Sequence, residues 1–193
     1  MRTFLSKITK LTPVAAGAAA GLIVLGIVAF VAGNHAQSVV TSQLAPQKIY
    51  FPKPAEYAVL KPYAGQQVLT GTQAELYAND QILPDMNKIS GGKTYAQVSE
   101  AWIAGGMKSA TLASERQTLF MGTTLRGMLL NAWGWAQVGS YAILGGILAI
   151  IIGSILFILP VADWLLNQSP AEAESRRRKT AAKLSGGAAP AGV

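Results

Sequence analysis

The sequence predicts a mainly α-helical membrane protein, in which two transmembrane helices flank a small, mostly helical extracytoplasmic domain with an extended, proline-rich segment. The first observation is a pair of apolar runs, at residues 13–34 and 137–162, that contain no charged side chain. Each run exceeds the roughly 20 apolar positions that cross a bilayer as a helix. The second observation is the segment between them, residues 35–136, which is long enough for a small core.

The basic residues of the chain are concentrated beside the two apolar runs. Residues 1–12 carry three positive charges, and the low-complexity tail at 163–193 carries five against three acidic residues. Since positive residues hold flanking segments on the cytoplasmic side, we expect a two-pass plasma-membrane protein with both termini in the cytoplasm. The net charge of +7 therefore does not indicate a nucleic-acid partner. The basic tail fixes the topology in this interpretation and is also a candidate to bind anionic lipids.

The first apolar run follows a basic N-terminal segment, an order that secretory signal peptides share. It is longer than the usual apolar core of a signal peptide, and Asn34 stands where a cleavage site would need a small residue. We therefore expect an uncleaved anchor.

Small residues recur at intervals of four in both apolar runs. They are Gly17 and Gly21 in the first run and Gly145, Ala149 and Gly153 in the second. Small residues on one face of a transmembrane helix let another backbone approach closely. The pattern predicts a packing face, either between the two spans or against a partner's helices, although glycine and alanine are also common in transmembrane helices generally.

Three prolines (Pro52, Pro54 and Pro62) exclude a regular helix at the start of the central segment. Four aromatic residues accompany them: Tyr50, Phe51, Tyr57 and Tyr63. They are predicted either to pack on the domain's own helices or to form a surface that contacts a neighbour.

Helical signals follow. Thr72 and Glu75 have the spacing of a capping box, which predicts a short helix that ends near Leu83, before Pro84. Thr94 and Gln97 repeat the signal, and Gly105 and Gly106 end that second helix.

A third helix is predicted from Thr111 or Leu112, continuing without interruption into the second apolar run. Its apolar residues lie at offsets of four and three, on one helical face: Met121, Leu125, Met128, Ala132 and Trp135. Arg126 and Asn131 on this helix are candidate interaction residues, or ordinary surface or capping groups.

The residue types that carry catalysis are scarce. The chain has no cysteine and a single histidine, His35. Zinc, haem and non-haem iron sites need several converging histidine, cysteine or acidic ligands, and a Ser–His–Asp triad would need that same histidine. We therefore predict no catalytic residue, no metal, no cofactor and no enzymatic activity.

Five stretches together resemble a family of small actinobacterial membrane proteins with the same two-span layout. They are Gln43–Pro52, Leu60–Gln67, Tyr77–Asp80, Gly91–Tyr95 and Thr124–Ala132. Members of that family are often labelled aromatic ring-opening dioxygenases. Such enzymes hold iron with histidines and a carboxylate, so the single histidine here argues against that activity.

The sequence predicts that the protein is a non-catalytic accessory subunit of a larger plasma-membrane assembly, with other integral membrane proteins as partners. By analogy with the small subunits of such assemblies, the candidate is an actinobacterial respiratory supercomplex. The alternative is a cell-envelope module whose extracytoplasmic domain binds a lipid, wall polymer or secreted protein. An exposed aromatic groove around residues 50–63 would favour that alternative.

Overall fold

The structure is a computed structural model that describes residues 2–166. The described part is mostly helical and contains five α-helices: α1 (Arg2–Leu44), α2 (Gly71–Leu76), α3 (Leu83–Ser90), α4 (Tyr95–Ala104) and α5 (Ala110–Leu166). A π-helical turn, Tyr77–Ile82, joins α2 to α3, and short 3-10 helices occupy Ala45–Gln47 and Ala58–Tyr63. Within residues 2–166 there is no β-strand, only an isolated bridge between Tyr50 and Gln67. The predicted basic tail lies outside the described residues apart from the end of α5.

Two helices are long and apolar enough to cross a membrane. The two candidate spans are Val14–Gln47, which includes the 3-10 turn after α1, and Ala110–Leu159, and each contains a window of 18 residues with high mean hydropathy. This agrees with a membrane protein that has two spans. Both helices extend well past the apolar runs at 13–34 and 137–162, because α1 continues to Leu44 and α5 already begins at Ala110.

The chain divides into two compact units. The central unit comprises residues 28–147, and the terminal unit comprises the chain on either side of it, described here for residues 2–27 and 148–166. The core of the central unit is built from the end of α1, the proline-rich segment, α2, the π-helical turn and α5. Its buried members are Val40, Leu44, Phe51, Leu60, Val68, Ala74, Ala78, Ile82, Leu129 and Ala136.

The capping box of α2 lies two residues before the predicted one. The Thr70 hydroxyl accepts a hydrogen bond from the Gln73 backbone N–H, and the Gln73 side chain accepts one from the Thr70 N–H. Thr70 has the extended backbone (φ −117°, ψ 159°) that an N-cap needs, whereas Thr72 already lies inside the helix. The prediction of Thr72 as the cap was therefore wrong.

Pro84 does not end the helical segment as predicted. The N–H of Leu83 donates to the carbonyl of Ala78, five residues back, which closes the widened turn before the proline. Pro84 then lies in the first turn of α3, a position where a missing backbone N–H is tolerated. The chain thus stays helical from Gly71 to Ser90.

The other helix boundaries agree with the sequence signals. Thr94 and Gln97 form a complete capping box at the start of α4, and Gly105 follows its last residue. The helix α5 begins at Ala110, one residue before the predicted start, and runs to Leu166 as a single element. Its predicted continuation from the domain into the second apolar run is confirmed.

Candidate docking surface

The apolar face predicted on α5 does not point into the core of the central unit. Met121, Met128 and Trp135 are 55%, 66% and 61% exposed, and Leu125 is 38% exposed. The core instead receives Leu129 and Ala136 of the same helix, which are 2% and 6% exposed. We call the row Met121, Leu125, Met128, Ala132 and Trp135 the α5 stripe; its large members are exposed, and Ala132 packs partly against the core. An exposed row of large apolar side chains marks a contact surface for lipid or protein.

A groove of about 550 Å³ lies beside the α5 stripe, between α1 and α5 of the central unit. Most of its lining is apolar, and its polar side chains are those of His35, Gln43 and Asn131. Among residues 2–166, no aspartate, glutamate, lysine or arginine lines it. The lining residues, which define the α1–α5 groove, are Ala32, His35, Ala36, Val39, Val40, Gln43, Met128, Asn131, Ala132 and Trp135.

Close backbone approach holds α1 against α5 in the central unit. A Cβ atom on Gly33 would lie 2.5 Å from the carbonyl oxygen of Gly139 and 2.7 Å from the Ile143 side chain. One helical turn further along α1, the amide of Gln37 donates to the Ala136 carbonyl (2.7 Å) and to the Ser140 hydroxyl (2.9 Å). Since the contacts on α5 move backwards as α1 advances, the two helices run antiparallel there.

The terminal unit contains a second close approach. A Cβ atom on Gly153 would lie 2.7 Å from the Ile23 side chain and 3.0 Å from the Ala19 carbonyl oxygen. Gly153 was predicted as a packing residue, and the structure places it against α1.

The other small residues of the predicted packing faces lie elsewhere. Within residues 2–166, a Cβ atom on Gly17, Gly21 or Gly145 would meet no atom within 4 Å, and Ala149 is partly buried. From residue 14 onward, the buried positions of α1 recur instead at intervals of seven, at Ala19, Gly26, Gly33 and Val40, and Leu44 follows four residues later. The interval of seven is also present in the sequence, but the prediction followed the interval of four.

The aromatic residues of the proline-rich segment pack mainly on their own domain. Phe51 is 2% exposed, and its ring centroid lies 5.4 Å from those of Tyr63 and Tyr77. Tyr57 and Tyr63 are partly buried against the same core, whereas Tyr50 is 51% exposed. Phe51 is thus a core residue, which agrees with the first of the two predicted alternatives and corrects its naming as a partner contact.

The side chains of Arg126 and Asn131 have different environments. The Arg126 guanidinium turns into the domain and donates a 2.9 Å hydrogen bond to the Asn79 side chain in the π-helical turn. This contact places Arg126 in a structural role rather than on an open interaction surface. Asn131 is exposed and lines the α1–α5 groove.

Two polar clusters lie elsewhere in the central unit. Asp85 accepts hydrogen bonds from the Tyr57 hydroxyl (2.8 Å) and the Gln81 amide (2.7 Å), and Lys88 pairs with Glu56. The hydrogen bonds from Lys88 to Glu56, and then to Tyr57, raise the pKa of its ammonium group. These hydrogen bonds form a structural network, although the buried Oε1 of Gln81 has no hydrogen-bond partner among the described residues.

The second cluster joins α4 to α5. The Arg116 guanidinium lies 4.7 Å from the Trp102 ring centroid and 5.7 Å from that of Tyr95, and its Nε donates to the Ser99 hydroxyl. Hydrogen bonds from Ser99 and Arg116 lower the pKa of Tyr95.

Residues 2–166 contain no group of three or more histidine, cysteine or acidic side chains placed to hold a metal ion. The exposed α5 stripe and the α1–α5 groove form the candidate contact surface, and the sequence alone did not reveal the groove.

Comparisons with known proteins add no relative: no family model, no curated protein and no solved structure matches the chain.

Proposed function

We propose that the protein is a non-catalytic accessory subunit of a larger plasma-membrane complex, and that it docks through its transmembrane helices and its extracytoplasmic domain. The observation that carries this proposal is the open small-residue face of α1. Gly17 and Gly21 lie one turn apart, and a Cβ atom on either would meet no atom of the described residues within 4 Å.

Glycine in a helix interior destabilises the helix by about 1 kcal/mol relative to alanine. At Gly33 and Gly153 this cost is offset by close packing within the chain. Gly17 and Gly21 have no such contact, and a partner's helix at that face would supply it. Small-xxx-small faces are a recurrent way for helices to associate in lipid.

The proposed topology places both termini in the cytoplasm and the domain outside, as the basic flanks predict. The partners are other integral membrane proteins, with a respiratory supercomplex as the candidate assembly. That choice rests on the resemblance to the actinobacterial family and on analogy. Anionic lipids at the basic tail remain part of the proposal.

The alternative function, an envelope module that binds a ligand in an aromatic groove, receives less support. Phe51 lies in the core, and Tyr57 and Tyr63 pack against it. The segment that would have formed such a groove mainly stabilises the domain.

The proposal is tested by purification of the tagged full-length chain from native membranes in mild detergent, followed by mass spectrometry. We expect a set of larger membrane subunits in fixed ratio. Gly17→Leu combined with Gly21→Leu fills the open face and should remove that set, while the chain still inserts. The matched control is Ala18→Leu combined with Ala20→Leu, which adds bulk to neighbouring exposed positions on other faces of α1.

Purification of the chain without any larger subunit would overturn the proposal. Equal retention of partners by the two double variants would show that the Gly17 and Gly21 face is not the docking face.

A further inference from the structure

We infer that a polar crevice between α1, the start of α2 and α5 binds the phosphodiester group of a phospholipid. The crevice has a volume of about 90 Å³ and belongs to the central unit. This inference goes beyond the proposed function and uses a different surface from Gly17 and Gly21. The polar side chains that line the crevice are those of Gln37, Thr70, Thr72, Trp133, Gln137 and Ser140.

Close packing and hydrogen bonds fix the walls of the crevice. A Cβ atom on Gly71 would overlap the Cβ atom of Ala136, so the start of α2 lies directly against α5. The Gln37 amide donates to the Ala136 carbonyl (2.7 Å) and to the Ser140 hydroxyl (2.9 Å). The Ser140 hydroxyl in turn donates to that same carbonyl (3.0 Å). The folded chain therefore holds the crevice in place before any ligand arrives.

Three polar side chains of the crevice have hydrogen-bonding capacity to spare. Within residues 2–166, the side chains of Thr72, Trp133 and Gln137 make no hydrogen bond to protein, whereas the other polar side chains of the crevice are engaged. An indole N–H can only donate, and a hydroxyl and a side-chain amide can each donate as well. The crevice therefore suits a ligand that carries acceptor oxygens.

The size and charge of the crevice agree with a phosphodiester group. A water molecule takes about 30 Å³ of the liquid, so the crevice has room for a compact group of a few heavy atoms. Among residues 2–166, no aspartate or glutamate lines the crevice and would repel an anion. Hydrogen bonds from neutral donors to an ionised oxygen are roughly twice as strong as those between neutral groups.

The position of the crevice along the helices selects a membrane lipid as the source of the phosphodiester. Gln137 is the first residue of the predicted span 137–162, and Gln37 lies three residues past the predicted span 13–34. Trp133 lies four residues before Gln137. At 1.5 Å per residue, all three lie within about 6 Å of the predicted outer edge of the hydrocarbon.

Lipid phosphates occupy the same layer. The headgroup region extends roughly 5–8 Å beyond each edge of the hydrocarbon. Tryptophan is enriched in this layer, where its ring faces the chains and its N–H faces polar groups, as Trp133 would here. Under the proposed topology, the occupant is a phospholipid of the outer leaflet.

The inference is tested by native mass spectrometry of the full-length chain in mild detergent with three probes. They are phosphatidylcholine, a diacylglycerol with the same acyl chains, and inorganic phosphate. Phosphatidylcholine has no net charge, so the basic tail does not attract it. We expect the chain to retain one phosphatidylcholine and several-fold less diacylglycerol, and to hold no inorganic phosphate. This comparison uses the wild-type chain and does not depend on the folding of a variant.

A double variant locates the site. Thr72→Val combined with Gln137→Leu removes two of the spare polar groups at nearly unchanged shape and should lower phosphatidylcholine retention several-fold. The matched control, Thr41→Val combined with Gln43→Leu, makes the same substitutions at exposed positions of α1 outside the crevice and should retain the lipid fully. Circular dichroism checks that both double variants keep the wild-type helix content.

Four outcomes would overturn the inference. Equal retention of phosphatidylcholine and diacylglycerol would show that the acyl chains, and not the phosphodiester, are held. Equal retention by the two double variants would place the lipid elsewhere. Binding of inorganic phosphate that is lost in the Thr72 and Gln137 variant would show a site for a free anion. Retention of no probe would leave water as the occupant. The Gly17 and Gly21 experiment reads partner subunits on a separate face, so the two proposals fail independently.

Discussion

The backbones of Gly33 and Gly139 touch reciprocally. A Cβ atom on Gly33 would lie 2.5 Å from the Gly139 carbonyl oxygen, and a Cβ atom on Gly139 would lie 2.9 Å from the Gly33 carbonyl oxygen. Backbone atoms cannot move aside as the end of a flexible side chain can. The absence of a side chain at these two positions is thus what lets α1 and α5 approach each other in the central unit.

Gly33→Ala should destabilise the protein even though it adds only a methyl group. Overpacking of this kind costs about 1–3 kcal/mol. At Gly21, where the added carbon meets open space, the same substitution should be neutral or stabilising by up to about 1 kcal/mol, since alanine favours the helix. Thermal unfolding in detergent, followed by circular dichroism, measures the difference. Equal midpoints for the two variants would contradict the reciprocal contact.

Phe51 and Tyr50 are neighbours in sequence with opposite environments. Phe51→Ala empties a site between Tyr63 and Tyr77 and should cost about 3–5 kcal/mol. Tyr50→Ala, at a position 51% exposed, should change stability by less than about 0.5 kcal/mol. The same unfolding measurement compares the two alanine variants. A larger loss of stability in Tyr50→Ala than in Phe51→Ala would show that Tyr50, and not Phe51, is the buried residue of this pair.

Local signals predicted α4 and α5 well because local chemistry decides those boundaries. The Thr94 hydroxyl and the Gln97 side chain satisfy backbone N–H groups within one turn of the chain, so no distant residue is needed. Gly105 likewise follows α4 for reasons confined to the helix end. The long uninterrupted run of α5 also follows from its own composition.

The faces of the helices could not be predicted in the same way. α5 presents one row through Leu129 and Ala136 and another through Met121 and Met128, and both are apolar. Only the positions of Phe51 and the other core residues show that the first row is buried. Helix α1 contains one pair of glycines four residues apart, Gly17 and Gly21, and another pair seven residues apart, Gly26 and Gly33. Which set packs depends on the distant glycines of α5.

The choice between Thr70 and Thr72 as the cap of α2 can be tested directly. Thr70→Ala removes the hydroxyl that accepts from the Gln73 N–H and should cost about 1 kcal/mol. Thr72→Ala, at an exposed position inside the helix, removes no cap and should have little effect. Amide hydrogen exchange at Gln73 should accelerate only in the Thr70 variant. Acceleration in the Thr72 variant alone would restore the original prediction.

Arg126 and Asn79 couple α5 to the π-helical turn. The Arg126 Nε is buried without a hydrogen-bond partner among the described residues, so the bond to Asn79 is its main polar contact within them. Asn79→Ala would leave the guanidinium less satisfied and should cost about 1–3 kcal/mol. Adding Arg126→Met removes the buried charge and should recover part of that loss.

The unfolding temperatures of Asn79→Ala and of the double variant Asn79→Ala plus Arg126→Met test this contact. The double variant should unfold at a higher temperature than Asn79→Ala alone. If it unfolds at a lower temperature, Arg126 stabilises the protein through contacts other than the one to Asn79.

Tyr77 should make stability depend on pH in the alkaline range. Burial, with a smaller contribution from the Asp85 carboxylate, raises the pKa of its phenol above the ordinary 10.0. The folded protein therefore holds this proton more tightly than the unfolded chain does. The stabilisation is complete below the unfolded pKa and is lost as the pH rises through the folded one.

Tyr77→Phe removes that titration, so the fall in unfolding temperature between about pH 8 and about pH 11 should be shallower than in the wild type. Tyr50→Phe is the control, because the Tyr50 ring is exposed and its replacement leaves the Tyr77 titration in place. Phe51 packs edge-on against Tyr77 at 5.4 Å, and the phenylalanine variant keeps that ring contact. Any change in slope then reports the proton rather than lost packing, and parallel curves for the wild type and Tyr77→Phe would refute the assignment.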